Sequence, residues 1–220
     1  GSTYPSSTAF DLPLGGMSAM DYLAGLGFDV YCVDLPGYGL SGRPAAMDAP
    51  PEHEDCRPFV RIAKLMADAG LNVPRVFAED IPRGFLLLTD LGTAGYLQAL
   101  NNDSANELFR DAIDALLRWQ LASRPGVLPA YDRALLTREL RLFPDWYVVR
   151  HRGITLTAAQ NTALDSIFEL ILGNNLAQPP VYVHRDYMPR NLMVCEPNPG
   201  VLDFQDAVYG PITYDLASLF

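Results

Sequence analysis

Lysine is almost missing from this chain. Of its 16 cationic residues only Lys64 is a lysine, and 26 acidic residues outweigh them to a formal net charge of −10. That balance argues against a nucleic-acid surface, which needs clustered cations to displace phosphate counterions. It also leaves a single candidate for any reaction that demands a lysine. Cysteine is scarce: Cys32, Cys56 and Cys195 are odd in number and share no CxxC or Cys/His spacing, so neither a disulfide framework nor a zinc site is expected. A reducing cytoplasm is the expected compartment. No apolar run approaches the roughly 18 to 20 residues of a membrane span, and no basic region followed by an apolar core opens the chain, so no membrane partner is expected. No repeat or low-complexity tract appears.

What is present fits a globular protein: 220 residues, 49% hydrophobic, enough for one sizeable core or two small lobes. Met17 to Leu26 reads as a short helix. The β-branched and aromatic run Phe28-Asp-Val-Tyr-Cys-Val-Asp34 reads as a strand, and the glycine-rich Leu35 to Pro44 as a turn. Two prolines make residues 45 to 52 a connector. Phe59, Ile62, Ala63, Met66 and Ala69 recur at helical spacing over 54 to 69, with Gly70 placed to end the helix. Strands are expected at 73 to 78 and 84 to 90, then long amphipathic helices at 104 to 123, 133 to 151 and 157 to 173, the last N-capped by Thr157.

The last forty residues change character. His184-Arg185-Asp186-Tyr187-Met188-Pro189-Arg190-Asn191 fits H-x-D-x-x-x-x-N, and Val201-Leu202-Asp203-Phe204 follows after a hairpin-sized gap. Phosphoryl transfer needs a carboxylate to accept the hydroxyl proton, and a carboxamide and a second carboxylate to hold Mg²⁺ against ATP phosphates. Short strands at 192–195 and 200–203 would bring Asn191 and Asp203 to neighbouring ends of one hairpin. Asp186 is then the base, Asn191 and Asp203 the metal ligands, and His184 a packing residue that orients the loop. An isolated H-x-D is more often a polar loop; the Asn at the fifth position after Asp186 and the following Leu-Asp-Phe make the pattern specific.

These residues resemble the aminoglycoside-phosphotransferase and choline-kinase superfamily. Asp203-Phe204-Gln205-Asp206-Ala207 in place of Asp-Phe-Gly, and Tyr214-Asp215-Leu216-Ala217, are that family's marks. The resemblance implies an α+β, protein-kinase-like fold with a mainly helical C-terminal lobe, ATP and Mg²⁺ as cofactors, and Asp215 as a brace for the catalytic loop. Within the superfamily, Met47 to Glu52, Leu142 to Tyr147 and Asp186 to Asn191 most resemble bacterial N-acetylmuramate/N-acetylglucosamine anomeric kinases of cell-wall recycling, over about residues 47 to 220. That implies transfer of the ATP γ-phosphoryl group to a sugar C1 hydroxyl. A sugar substrate would give Glu139, Asp145, Trp146, Arg185 and Asp206 hydrogen-bonding or stacking roles, although helix packing explains Trp146 equally well. Leu87, Leu88 and Thr89 resemble the segment that leads into the adenine-reading hinge.

The first forty-six residues do not fit that pattern. No strand lysine or phosphate hairpin is recognisable, because Lys64 falls in the expected helix. Gly37-Tyr-Gly39-Leu-Ser-Gly42 matches G-x-G-x-x-G without the helix or second strand that would give it meaning. Residues 27 to 44 instead resemble a strand and turn of α/β-hydrolases, with Leu14 to Ser18 as the upstream piece, yet no G-x-S-x-G nucleophile elbow occurs. The expected organisation is a hydrolase-like fragment over 1–46, an incomplete nucleotide lobe and hinge over 47–92, and a catalytic lobe over 93–220 that stops within a helix. A sugar kinase, a catalytically inactive chimera and an esterase are the readings open at this point.

Overall fold

The computed structural model describes residues 55–81 and 85–220, together with the backbone of 13–14 and 17–18. The strand and turn expected over 28–44, the connector at 45–52 and most of the hydrolase-like segment lie outside the described residues. Strands β1 (Pro13–Leu14) and β2 (Met17–Ser18) pair antiparallel, Leu14 opposite Met17. Met17 and Ser18 therefore belong to a strand and not to the expected helix.

Helix α1 (Arg57–Asp68) starts with Pro58 in its first turn, where a missing N–H costs nothing. It buries Ile62, Ala63 and Met66 on one face. Gly70, at φ +80°, ends it: the N–H of Gly70 donates to Ala67 O and that of Leu71 to Met66 O, both 3.0 Å. Lys64 lies on the exposed face, its ammonium 3.2 Å from Asp68. Strands β3 (Val76–Asp80) and β4 (Phe85–Leu88) form an antiparallel pair. The strand expected from 73 begins three residues later, because Asn72 bridges Gly200 instead and Pro74 cannot donate to a ladder.

The remainder is mainly helical: α2 (Tyr96–Ala99), α3 (Ala105–Leu121), α4 (Arg133–Leu142) and α5 (Ala158–Leu176). Helix α5 opens with a reciprocal capping box between Thr157 and Gln160. The helix expected over 133–151 changes winding midway, and Phe143–His151 is a π-helix. Pro144 removes the N–H that would continue the α ladder to Leu140, and bonds five residues apart, such as Arg152 N–H to Tyr147 O at 3.0 Å, take over. Strands β5 (Pro180–Val183) and β8 (Val208–Pro211) pair antiparallel and flank residues 184–207. Between them β6 (Leu192–Met193) and β7 (Gly200–Val201) make a minimal hairpin, two residues a side and shorter than the expected 192–195 and 200–203. Helix α6 (Tyr214–Leu219) closes the described chain.

One continuous core runs from Ile62 and Met66 of α1 through Leu108, Ala112, Leu116 and Trp119 of α3 to Tyr187, Leu192, Val201 and Phe204. The segment from Tyr187 to Phe204 is thus anchored by buried apolar residues at both ends. The Phe59 ring packs at a tilt against Phe204, centroids 4.8 Å apart, tying α1 to the segment after Asp203. A second cluster, Tyr131, Leu136, Leu172, Val183 and Val208, packs α4 and α5 against the β5–β8 pair. Among the described residues no helix is long and apolar enough to cross a membrane.

Candidate active site

The loop after β5 is held from below before it presents anything to solvent. His184 and Asp215 are both fully buried. The Asp215 carboxylate accepts the backbone N–H of His184 at 2.6 Å and of Arg185 at 3.0 Å. The His184 ring meets Tyr187 edge-on at 5.6 Å, and the Tyr187 hydroxyl donates to Ala112 O of α3 at 2.7 Å. Burial pushes His184 down to about 4, so the imidazole is neutral, and pushes Asp215 up to about 7 despite the two N–H groups that favour its anion.

Above this base Arg185 takes the left-handed backbone conformation, φ +79°, which turns the chain so that half-buried Asp186 follows at the surface. The Asp186 N–H donates to His184 Nδ1 at 3.3 Å. Burial raises the Asp186 carboxyl from its ordinary value, and the charge of Asp203 adds to the rise while Arg185 and Arg190 oppose it. Arg190 lies 3.9 Å away.

Asn191 joins the pieces. At the end of the 3-10 turn Pro189–Asn191, its side-chain amide donates to Asp186 O at 2.9 Å and to Asp203 Oδ2 at 3.2 Å. Its backbone carbonyl accepts the Leu202 N–H at 3.0 Å. Asp203, also left-handed at φ +62°, receives a second amide, Gln205 Nε2, on Oδ1 at 2.8 Å. Asp186, Asn191 and Asp203 therefore share one hydrogen-bonded cluster. Among the described residues no group of three or more His, Cys, Asp or Glu side chains is arranged for a metal. Asn191 and Asp203 instead form a carboxamide and carboxylate pair, which fits Mg²⁺: a hard ion that keeps several waters and takes one or two carboxylates beside phosphate oxygens.

The other predicted residues divide. Glu139 on α4 accepts from Arg185 and from the Tyr131 hydroxyl, and Arg185 also lies 3.9 Å from the Asp206 carboxylate and 5.8 Å over the Tyr131 ring. Arg185, next to Asp186 in the chain, thus draws both Glu139 and Asp206 to its guanidinium. Asp145 and Trp146 sit on the π-helix, where Arg150 stacks on the Trp146 ring at 3.8 Å. Leu87 and Leu88 belong to β4, Leu88 buried. Thr89 is tied to Arg75 twice, its N–H donating to Arg75 O at 3.0 Å and its Oγ1 accepting from Arg75 N at 2.8 Å. The chain on both sides of the β3–β4 pair reaches the β6–β7 hairpin: Val194 N–H donates to Ala94 O at 2.7 Å and Val201 N–H to Asn72 O at 2.8 Å. Sequence reasoning assigned nothing to Tyr131 or Gln205. Only the position of Gln205, two residues after Asp203, could have pointed to it.

The comparisons agree with this architecture. The aminoglycoside phosphotransferase APH(2'')-Ib in its ADP-bound form superposes with a TM-score of 0.53 at 17% identity, over 72% of this chain and 57% of that one. APH(3'')-Id from Streptomyces rimosus, in complex with ADP and streptomycin, gives 0.54 at 15%, over 74% and 64%. In sequence, the N-acetylmuramate/N-acetylglucosamine kinases of Pseudomonas aeruginosa and Pseudomonas putida are 57% and 59% identical over 174 residues, 79% of this chain and 52% and 51% of theirs. The Neisseria meningitidis kinase of the same name is 46% identical over 177 residues. The chain spans about half the length of the curated relatives it matches. A profile of the phosphotransferase enzyme family matches residues 21–220. With that match over most of its length, the chain belongs to the phosphotransferase enzyme family.

Proposed function

We propose that the chain carries the catalytic half of an ATP-dependent kinase that phosphorylates the anomeric hydroxyl of N-acetylmuramate or N-acetylglucosamine. The observation that carries the reading is the Asn191 side chain bonded at once to the Asp186 backbone and the Asp203 carboxylate. Similarity to the amino-sugar kinases supports the substrate class. Asp186 accepts the proton of the attacking hydroxyl, and its raised affinity for protons, set by burial and by Asp203, suits that task. Asn191 and Asp203 hold Mg²⁺, which when bound offsets the charge of the ATP phosphates. Asp215 keeps the loop in register through the His184 and Arg185 amides. Glu139, Arg185 and Asp206 line the side from which the sugar approaches, with Asp145 and Trp146 as more distant contacts. Leu87 to Thr89 lead the backbone to the adenine.

A direct test supplies Mg-ATP with either amino sugar and follows phosphorus by NMR. A sugar 1-phosphate signal with stoichiometric ADP is the expected result; ATP left intact with both sugars contradicts the assignment.

One observation favours a second reading, a kinase-fold chain that binds no nucleotide. Lys64, the sole lysine, is an exposed helix residue paired with Asp68 and not a strand residue facing phosphates. Thermal unfolding with and without Mg-ATP separates the two readings, because a ligand that binds only the folded state raises the midpoint.

A further inference from the structure

We propose that Gln205 is a positioning residue for the metal site: its side-chain amide pins one oxygen of Asp203 and leaves the other to face the cation. The inference rests on the reading of Asn191 and Asp203 as the Mg²⁺ ligands.

The geometry is specific. Phe204 O accepts the Ala207 N–H at 3.0 Å, closing a tight turn with Gln205 and Asp206 at its centre. Both ends of that turn are buried, Phe204 fully and Ala207 at 4% exposure, so the backbone of Gln205 is fixed by the core. From there the side chain folds back two residues and donates to Asp203 Oδ1 at 2.8 Å. Asp203 needs such a restraint. It is exposed, its backbone is left-handed at φ +62°, and a free carboxylate on that surface would rotate.

The two amides on Asp203 have different parts. Asn191 reaches Oδ2 at the longer distance of 3.2 Å, and to ligate a cation it must turn its oxygen inward and give up that bond. Gln205 binds the opposite oxygen and has no such conflict, so its bond persists with the ion in place. A neutral donor also orients the carboxylate without adding a cation that would repel Mg²⁺. Hydrogen-bond partners behind metal ligands commonly set affinity by about 10- to 100-fold.

The test compares Gln205→Met, close to Gln in length but lacking the donor, with wild type and with Asp203→Asn as reference. Mn²⁺ stands in for Mg²⁺, its affinity read by electron paramagnetic resonance of the free ion in the presence of ADP, with no turnover involved. Gln205→Met is expected to weaken Mn²⁺ binding about tenfold while its unfolding midpoint stays near wild type. Gln205→Asn, whose shorter arm keeps an amide, should fall between. Wild-type affinity in Gln205→Met, with Asp203→Asn strongly impaired, overturns the role of Gln205 alone. Wild-type affinity in Asp203→Asn overturns the metal site itself.

Discussion

Asp215 reaches back from α6 to accept the N–H groups of both His184 and Arg185, so one buried carboxylate fixes the two peptide units that precede the proposed base. Burial drives His184 and Asp215 in opposite directions. Asp215, at about 7 against an ordinary 3.8, binds more protons folded than unfolded between those values, so its contribution is full below about pH 4 and is lost as pH rises to about 7. His184, at about 4 against 6.5, binds fewer protons folded, so its contribution is full above about pH 6.5 and is lost as pH falls to about 4.

The two slopes oppose each other over most of that window. Urea unfolding at a series of pH values should show Asp215→Asn gaining stability steeply from about pH 4 to 6.5, where His184 alone acts, and His184→Gln losing it. Asp215→Asn should also be less stable by about 1–3 kcal/mol, because its new NH₂ faces an N–H donor. Identical pH slopes in the two variants and wild type would contradict the assignment.

Arg185 and Glu139 form a pair whose side chains are 22% and 23% exposed, which makes loss of one partner costly for the other. Arg185→Met is expected to cost about 2 kcal/mol of stability. In a double-mutant cycle with Glu139→Gln the coupling should reach about 1 kcal/mol. Strict additivity in denaturant titrations would mean that the pair contributes nothing.

Gly210 of β8 lies against Tyr131, the residue that holds Glu139 from the other side. A Cβ built there falls 2.5 Å from the Tyr131 Cβ and 2.9 Å from its ring, and a Cβ has little freedom to yield. Gly210→Ala should therefore destabilise the protein by about 1–3 kcal/mol, measured as a lowered thermal midpoint. A midpoint equal to wild type would show that the β5–β8 pair shifts freely, against the packing described.

The parts of the site legible in the sequence are those that lie close together along it. Asp186 and Asn191 are five residues apart in one loop, and Asp203 follows across a hairpin, so motif spacing alone led to their shared cluster. The Glu139–Arg185–Tyr131 network joins α4, the loop after β5 and the segment before α4, and no local pattern announces such a contact. Gln205 was visible only as a family mark, because its bond to Asp203 depends on a turn fixed by the burial of Phe204 and Ala207. In the fold, α1 was legible because a one-sided apolar face and Gly70 agree. The π-helix was not: up to Pro144 its residues continue the apolar spacing of α4, and only the loss of one N–H changes the winding. Helix α5 exposes Ile167 and Leu170, so its apolar residues do not mark a single buried face.

The central claim, that Asp186 is the base of a phosphoryl-transfer site, is tested most directly by the single-turnover rate of Asp186→Asn with Mg-ATP and amino sugar, with thermal unfolding measured in parallel. The expected result is a loss of about 10²- to 10⁴-fold in rate with the unfolding midpoint held close to wild type. A variant that transfers phosphate at the wild-type rate would contradict the account.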